Sequence, residues 1–90
     1  MTITTKRWSV DVFVDEQDGS TYAEARLHTN DKTHLVGVGR ARLNPADHDI
    51  PEIGDELAVE RALSDLAHRL LIAAAGDIEA ITHEPVRLSR

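Results

Sequence analysis

Three arginines, Arg26, Arg40 and Arg42, stand at alternating positions of two segments that also carry Tyr22, His28 and His34. Arginines beside an aromatic ring can contact phosphate and stack on a base, so they form a candidate RNA or ribosome contact. The ordinary role for such residues is a solvated sheet face with cross-strand pairs, for example Arg26 with Glu24 or Asp11. Phe13, Val36 and Val38 fall at the same outward-facing positions. Apolar residues on a face that should be wet mark a partner surface, here a candidate homodimer contact. Leu57, Leu71 and Ile72 lie off the main helical stripe and give a second, weaker sign of association.

Other chemistries find less support. The five histidines show no i, i+4 pair in the helical region and no zinc-ligand spacing. Asp47-His48-Asp49 reads as a polar turn before a helix, and His28 with His34 as a pair facing across a hairpin. Ser9, Ser20, Ser64 and Ser89 occupy no nucleophile-elbow context. The carboxylates lie in no apolar segment that would raise their pKa. Gly37-Val38-Gly39 sits within a strand rather than at a strand-to-helix turn, so it makes no phosphate loop. The expectation is no catalytic residue, no metal, no cofactor and no small-molecule substrate.

Composition sets the outer bounds. Ninety residues make a single domain with a small core. There is one Trp, one Tyr and one Phe, so the apolar content is aliphatic, and no cysteine supplies a disulfide or thiolate. No apolar run approaches the ~20 residues of a membrane span, and Met1–Arg7 lacks a signal-peptide core; a cytoplasmic protein is expected. Residues 1–43 carry six Lys/Arg and six acids, whereas residues 44–90 carry four and ten. The whole net charge of −6 therefore lies in the second half. That half is unsuited to wrapping a polyphosphate, while the first half is free to present a local basic patch.

The elements that must position these residues follow from periodicity. Trp8, Val10, Val12 and Val14 alternate with Ser9, Asp11, Phe13 and Asp15, which predicts a strand over about 7–16. Asp18-Gly19 is a hairpin turn. Ala23, Ala25 and Leu27 define a second strand over about 21–29. Leu35, Gly37, Gly39, Ala41 and Leu43 define a third over about 33–43. Pairing Val14 with Ala23 sets Val12 against Ala25 and Val10 against Leu27. Pairing His28 with His34 sets Leu27 against Leu35, and a one-residue slip would break the apolar match. Small residues on strands two and three allow a helix to approach closely. Asn44-Pro45 ends the third strand, because proline has no ladder donor.

From about 53 to 75, Val59, Ala62, Leu63, Leu66, Leu70, Ala73 and Ala74 share one face at helical spacing. Asp49 and Glu52 around Pro51 mark the helix start. Gly76 interrupts, and Asp77 caps a short helix over about 77–82 before Pro85. An unbroken helix through Gly76 is the alternative, at ~1 kcal/mol. The fold class is α+β: a three-stranded antiparallel meander covered on one face by a long helix, plus a short C-terminal helix.

These residues carry a resemblance. Trp8-Ser9-Val10-Asp11, Ala23-Glu24-Ala25-Arg26-Leu27, Val36-Gly37-Val38-Gly39, the Leu43–Asp47 turn and Pro51–Leu57 resemble a small actinobacterial family of unknown function. So do Ala62–Leu66 and Asp77–Pro85, and the likeness covers about residues 7–86. The resemblance implies a fold like that of double-stranded-RNA-binding domains, a shape compared with ribosome hibernation-promoting factors, and a link to hypoxia and dormancy. A double-stranded-RNA-binding domain places lysines at the start of its last helix; here stand Glu52, Asp55 and Glu56. The expected function is therefore non-enzymatic, a stress- or dormancy-associated homodimeric interaction module. The alternative is a ribosome- or RNA-associated hibernation-like factor using Tyr22, Arg26, Arg40 and Arg42.

Overall fold

A computed structural model describes residues 2–30, 32–42 and 51–87. Strands β1 (Trp8–Gln17), β2 (Ser20–Thr29) and β3 (Lys32–Arg42) form an antiparallel sheet in the order β1-β2-β3, and helix α1 (Pro51–Thr82) packs on one face. The strand end expected at Asn44-Pro45 and the polar turn at Asp47–Asp49 lie outside the described residues.

The first hairpin forms in the expected register. Val14 pairs with Ala23, Val12 with Ala25 and Val10 with Leu27. Its two-residue turn needs positive φ at both central positions, and Asp18 (φ 49°) and Gly19 (φ 74°) supply them. The second hairpin differs from expectation. Leu27 does face Leu35, but His28 pairs with Thr33 rather than His34. The strands close on Thr29–Lys32, with Asn30 in the left-handed region (φ 57°). That tighter turn pulls the register by one residue. A bulge at Leu27/His28 absorbs the slip, so the apolar face is preserved beyond it.

The helix also differs. It begins on Pro51, whose missing N–H costs nothing in a first turn, and runs unbroken through Gly76 to Thr82. The separate short helix over 77–82 is not formed; those residues are the last turns of α1. One glycine costs a helix only ~1 kcal/mol, less than a break would forfeit in hydrogen bonds. The end comes instead at His83, which takes the left-handed conformation (φ 61°) just before Pro85, with its N–H bonded to the Glu79 carbonyl.

The buried core is Ala23, Ala25, Leu27, Ala41, Ala58, Ala62 and Leu66. On α1 the contact row is therefore Ala58, Ala62 and Leu66, preceded by buried Gly54 beside Thr21. This row is rotated from the expected stripe: Leu63 is 42% exposed and Ala74 is exposed. Gly37 and Gly39 explain the rotation. A β-carbon at Gly37 would strike the backbone of Ala62 and Leu66, and one at Gly39 the backbone of Ala58 and Ala62. Backbone meets backbone there, so the smallest helix residues face the sheet and bulkier ones turn aside.

Candidate interaction surfaces

The outer sheet face is a chain of paired side chains. Glu24 at its centre accepts the Tyr22 hydroxyl at 2.7 Å and Arg26 through Nε and Nη2 at 3.0 and 2.8 Å. The Arg26 guanidinium also lies 4.4 Å over the Phe13 ring, and the Arg40 guanidinium 5.3 Å over Tyr22. Next to them His28 Nε2 lies 3.0 Å from Asp11 Oδ2. The Tyr22 and Arg26 donors hold Glu24 below the usual carboxylate range, and the bond to Glu24 raises the Tyr22 hydroxyl.

This arrangement splits both residue sets expected on that face. Tyr22 pairs with Arg40, and Arg42 follows opposite Ser20, so these three gather at the turn end of the sheet. There Arg61 of α1 joins Tyr22, Arg40 and Arg42 around an open depression that also includes Asp15 and Asp18. Arg26 pairs with Val36, two rungs away, and is held by Glu24. Phe13 and Val38 both sit opposite Glu24, one on either side of β2. Phe13 is 48% exposed under Arg26, and Val36 and Val38 are half-buried. A polar strand thus separates Phe13 from the two valines.

The inner face carries the larger uncovered apolar surface. Val10, Val12 and Val14 pair with core residues of β2, so they point to the same side as the core. Yet Trp8 is 54% exposed and the three valines about 40%. The cause is the lateral position of α1. Arg61 Nη1 donates to the Arg40 carbonyl at 2.6 Å, and Asp65 Oδ2 accepts the Val38 N–H at 2.8 Å. Both backbone groups lie on the free edge of β3, so the helix is tied to that edge and stops short of β1. The Val38 bond and then Arg69, at 3.0 Å, hold Asp65 below its ordinary pKa. At ~100° per residue, Val59, Leu63 and Leu70 occupy the flank of α1 opposite Arg61 and Asp65, toward β1. An apolar trough results, with β1 as floor and this flank as wall.

None of the residue types considered for chemistry marks this trough. Its strand residues were legible as an apolar stripe, but periodicity places them under the helix. The ties from Arg61 and Asp65 to backbone atoms leave no signature in a sequence. Among the described residues no three His, Asp or Glu side chains converge as metal ligands, and no helix is long and apolar enough to cross a membrane.

Comparison with known proteins places this architecture in a family. The Rv2632c-like family model matches residues 6–87. Uncharacterized protein MT1780 of Mycobacterium tuberculosis (strain CDC 1551 / Oshkosh) is 59% identical over 83 residues, covering 92% of this chain and 87% of the relative. Uncharacterized protein Rv2632c of Mycobacterium tuberculosis (strain ATCC 25618 / H37Rv) is 52% identical over 81 residues, covering 90% and 86%. The crystal structure of Rv2632c superposes with a TM-score of 0.82 at 48% identity, over 94% of this chain and 100% of that one. The chain belongs to the Rv2632c-like family.

Proposed function

We propose that this member of the Rv2632c-like family is a non-enzymatic interaction module that acts as a homodimer in the cytoplasm, in the stress and dormancy setting its resemblance implies. One observation carries the homodimer. The buried apolar core is five alanines and two leucines, while Trp8, Val10, Val12 and Val14 stay open on the same face. Small domains have little apolar burial to spare, and a second copy would supply what the off-centre helix does not. The shifted carboxylates support a non-catalytic role. Glu24 and Asp65 are both held ionised by hydrogen bonds, which suits fixed acceptors rather than general acids.

Sedimentation velocity tests the reading. Wild type should sediment as a dimer at micromolar concentration. Val10→Asp with Val14→Asp should give a folded monomer, and Val36→Asp with Val38→Asp, on β3, should remain dimeric. A wild type that stays monomeric at high concentration would discard the homodimer. Dissociation by the outer-face pair alone would move the contact to Phe13, Val36 and Val38.

A second reading, ribosome or RNA association, rests on Tyr22, Arg40, Arg42 and Arg61 around one depression. It ranks lower because Arg26 is engaged by Glu24 and acidic Asp15 and Asp18 share the site.

A further inference from the structure

The two edges of the sheet are finished differently. On β3, the outward Val38 N–H and Arg40 carbonyl are occupied by side chains of α1. Because Val38 points its N–H outward, the Glu24 pair facing it is not hydrogen-bonded on that side, and Glu24 bonds instead to Phe13. The two-residue turn closing on Gln17 and Ser20 gives the same phase. Odd-numbered residues of β1 therefore bond to β2. The even-numbered Trp8, Val10, Val12 and Val14 turn their N–H and C=O groups to the free edge. Among the described residues nothing bonds to those groups. The same four residues thus present unpaired backbone at the edge and uncovered apolar side chains on the inner face.

We infer that β1 is a strand-addition edge whose occupant is the β1 of a second copy, joined antiparallel to make one six-stranded sheet. This rests on the homodimer proposed above and specifies its geometry. Charge and overlap together select the register: Val10 or Val14 on the two-fold axis also opposes no like charges, but pairs only residues 8–12 or 11–17 of β1. With Val10 opposite the partner's Val12, Asp11 meets the partner's Asp11, and with Phe13 on the two-fold axis, Asp11 meets the partner's Asp15. Like charges directly opposite are unfavourable. With Val12 on the axis, Val10 faces the partner's Val14, Asp11 faces the partner's Phe13, and Asp15 faces the partner's Ser9. No like-charged pair is then directly opposed, and the overlap spans Trp8–Glu16. The inner faces of both β1 strands merge into one apolar floor between the two helices. The β3 edges stay closed by Arg61 and Asp65, so addition stops at two copies.

Residue-resolved amide exchange on the dimer tests the inference. The Val10 and Val14 amides should exchange at least about tenfold more slowly in the dimer than in protein diluted to monomer. Val12→Pro removes a donor that β2 does not use, a position where an edge strand tolerates proline, and should halve the mass. The chain has no cysteine, so Val12→Cys should give a disulfide-linked dimer on mild oxidation; hydrogen-bonded partners lie ~5.5 Å apart, within disulfide reach. A dimer whose Val10 and Val14 amides exchange as fast as in the monomer overturns strand addition, while the homodimer survives as a face-to-face pair. Protected amides without linkage at Val12→Cys, but with linkage at Asp11→Cys or Phe13→Cys, overturn the register. A monomeric wild type removes the homodimer itself.

Discussion

The Asp65 carboxylate on α1 accepts the backbone N–H of Val38 at 2.8 Å, on the side of β3 where no further strand follows. An exposed strand edge is a template for unwanted pairing, and here a helix side chain occupies its middle. Arg61, one turn earlier, occupies the Arg40 carbonyl. Together they fix α1 above β2 and β3 and leave β1 uncovered. Edge protection on one side and exposed apolar surface on the other share this cause.

Removing the carboxylate should therefore do two things. Asp65→Ala should lower the melting midpoint, and it should add species larger than the wild-type assembly in sedimentation velocity, because β3 becomes a second open edge. Asp65→Asn keeps an acceptor oxygen and should stay nearer to wild type in both measurements. An Asp65→Ala variant with unaltered midpoint and mass would show that the bond neither anchors the helix nor guards the edge.

Stability should depend on pH at both extremes. Asp65 and Glu24 are held below their ordinary values. Their contribution is present above the unfolded carboxylate pKa of ~4 and is lost as pH falls through the lower folded values. Tyr22 is raised, by its bond to Glu24. Its contribution is present below the unfolded value of ~10 and is lost as pH rises through the higher folded one. Urea midpoints across pH should show both limbs. The gap between wild type and Asp65→Ala should narrow below pH ~4, and Tyr22→Phe should flatten the alkaline limb. A gap constant down to pH 2 would rule out the ionised Asp65 as the stabilising form.

The sequence made some of this legible. The β1–β2 register follows from alternation with an Asp-Gly turn, since any slip would reverse the faces. The β2–β3 bulge depends on whether Asn30 adopts a left-handed conformation, a small local preference that leaves no periodic signal. The helix was legible as amphipathic, but Leu63 fits an apolar stripe as well as Ala58 does. Only the close approach at Gly37 and Gly39 decides between them. The arginines and Tyr22 were correctly placed on one face. Their engagement with Glu24 and Phe13, and the open stripe on β1, depend on which neighbours come within reach in three dimensions.

Two glycines of opposite circumstance give a paired test. A β-carbon at Gly39 would meet backbone atoms of Ala58 and Ala62, which cannot rotate away. Gly39→Ala should destabilise by ~3 kcal/mol or more, with Gly39→Val worse, by forcing the helix off the sheet. Gly76 lies inside α1 with nothing within 4 Å of an added β-carbon. Gly76→Ala should stabilise by up to ~1 kcal/mol. Urea denaturation of the variants reads both. A neutral Gly39→Ala would contradict the close contact, and a destabilising Gly76→Ala would contradict the continuous helix.

The arginines separate the homodimer from the RNA reading. Reversing Arg40 and Arg42 to glutamate changes exposed side chains on the outer face and should leave the fold and the oligomeric state intact. Reversing Arg26 as well should lower the melting midpoint, because Glu24 loses a donor and gains a repelling neighbour. Ribosome co-sedimentation at low and high salt then decides the function. The homodimer reading expects no measurable binding by wild type near physiological salt, since the second half of the chain holds the excess of acid. Binding that weakens steeply with salt and disappears in the Arg40→Glu, Arg42→Glu variant would promote the RNA reading, with phosphate contacts at the Tyr22 end of the sheet. Binding that survives the double reversal would exclude that site while keeping RNA as a partner. Full loss only when Arg26 is also reversed would show that Glu24 releases it on binding.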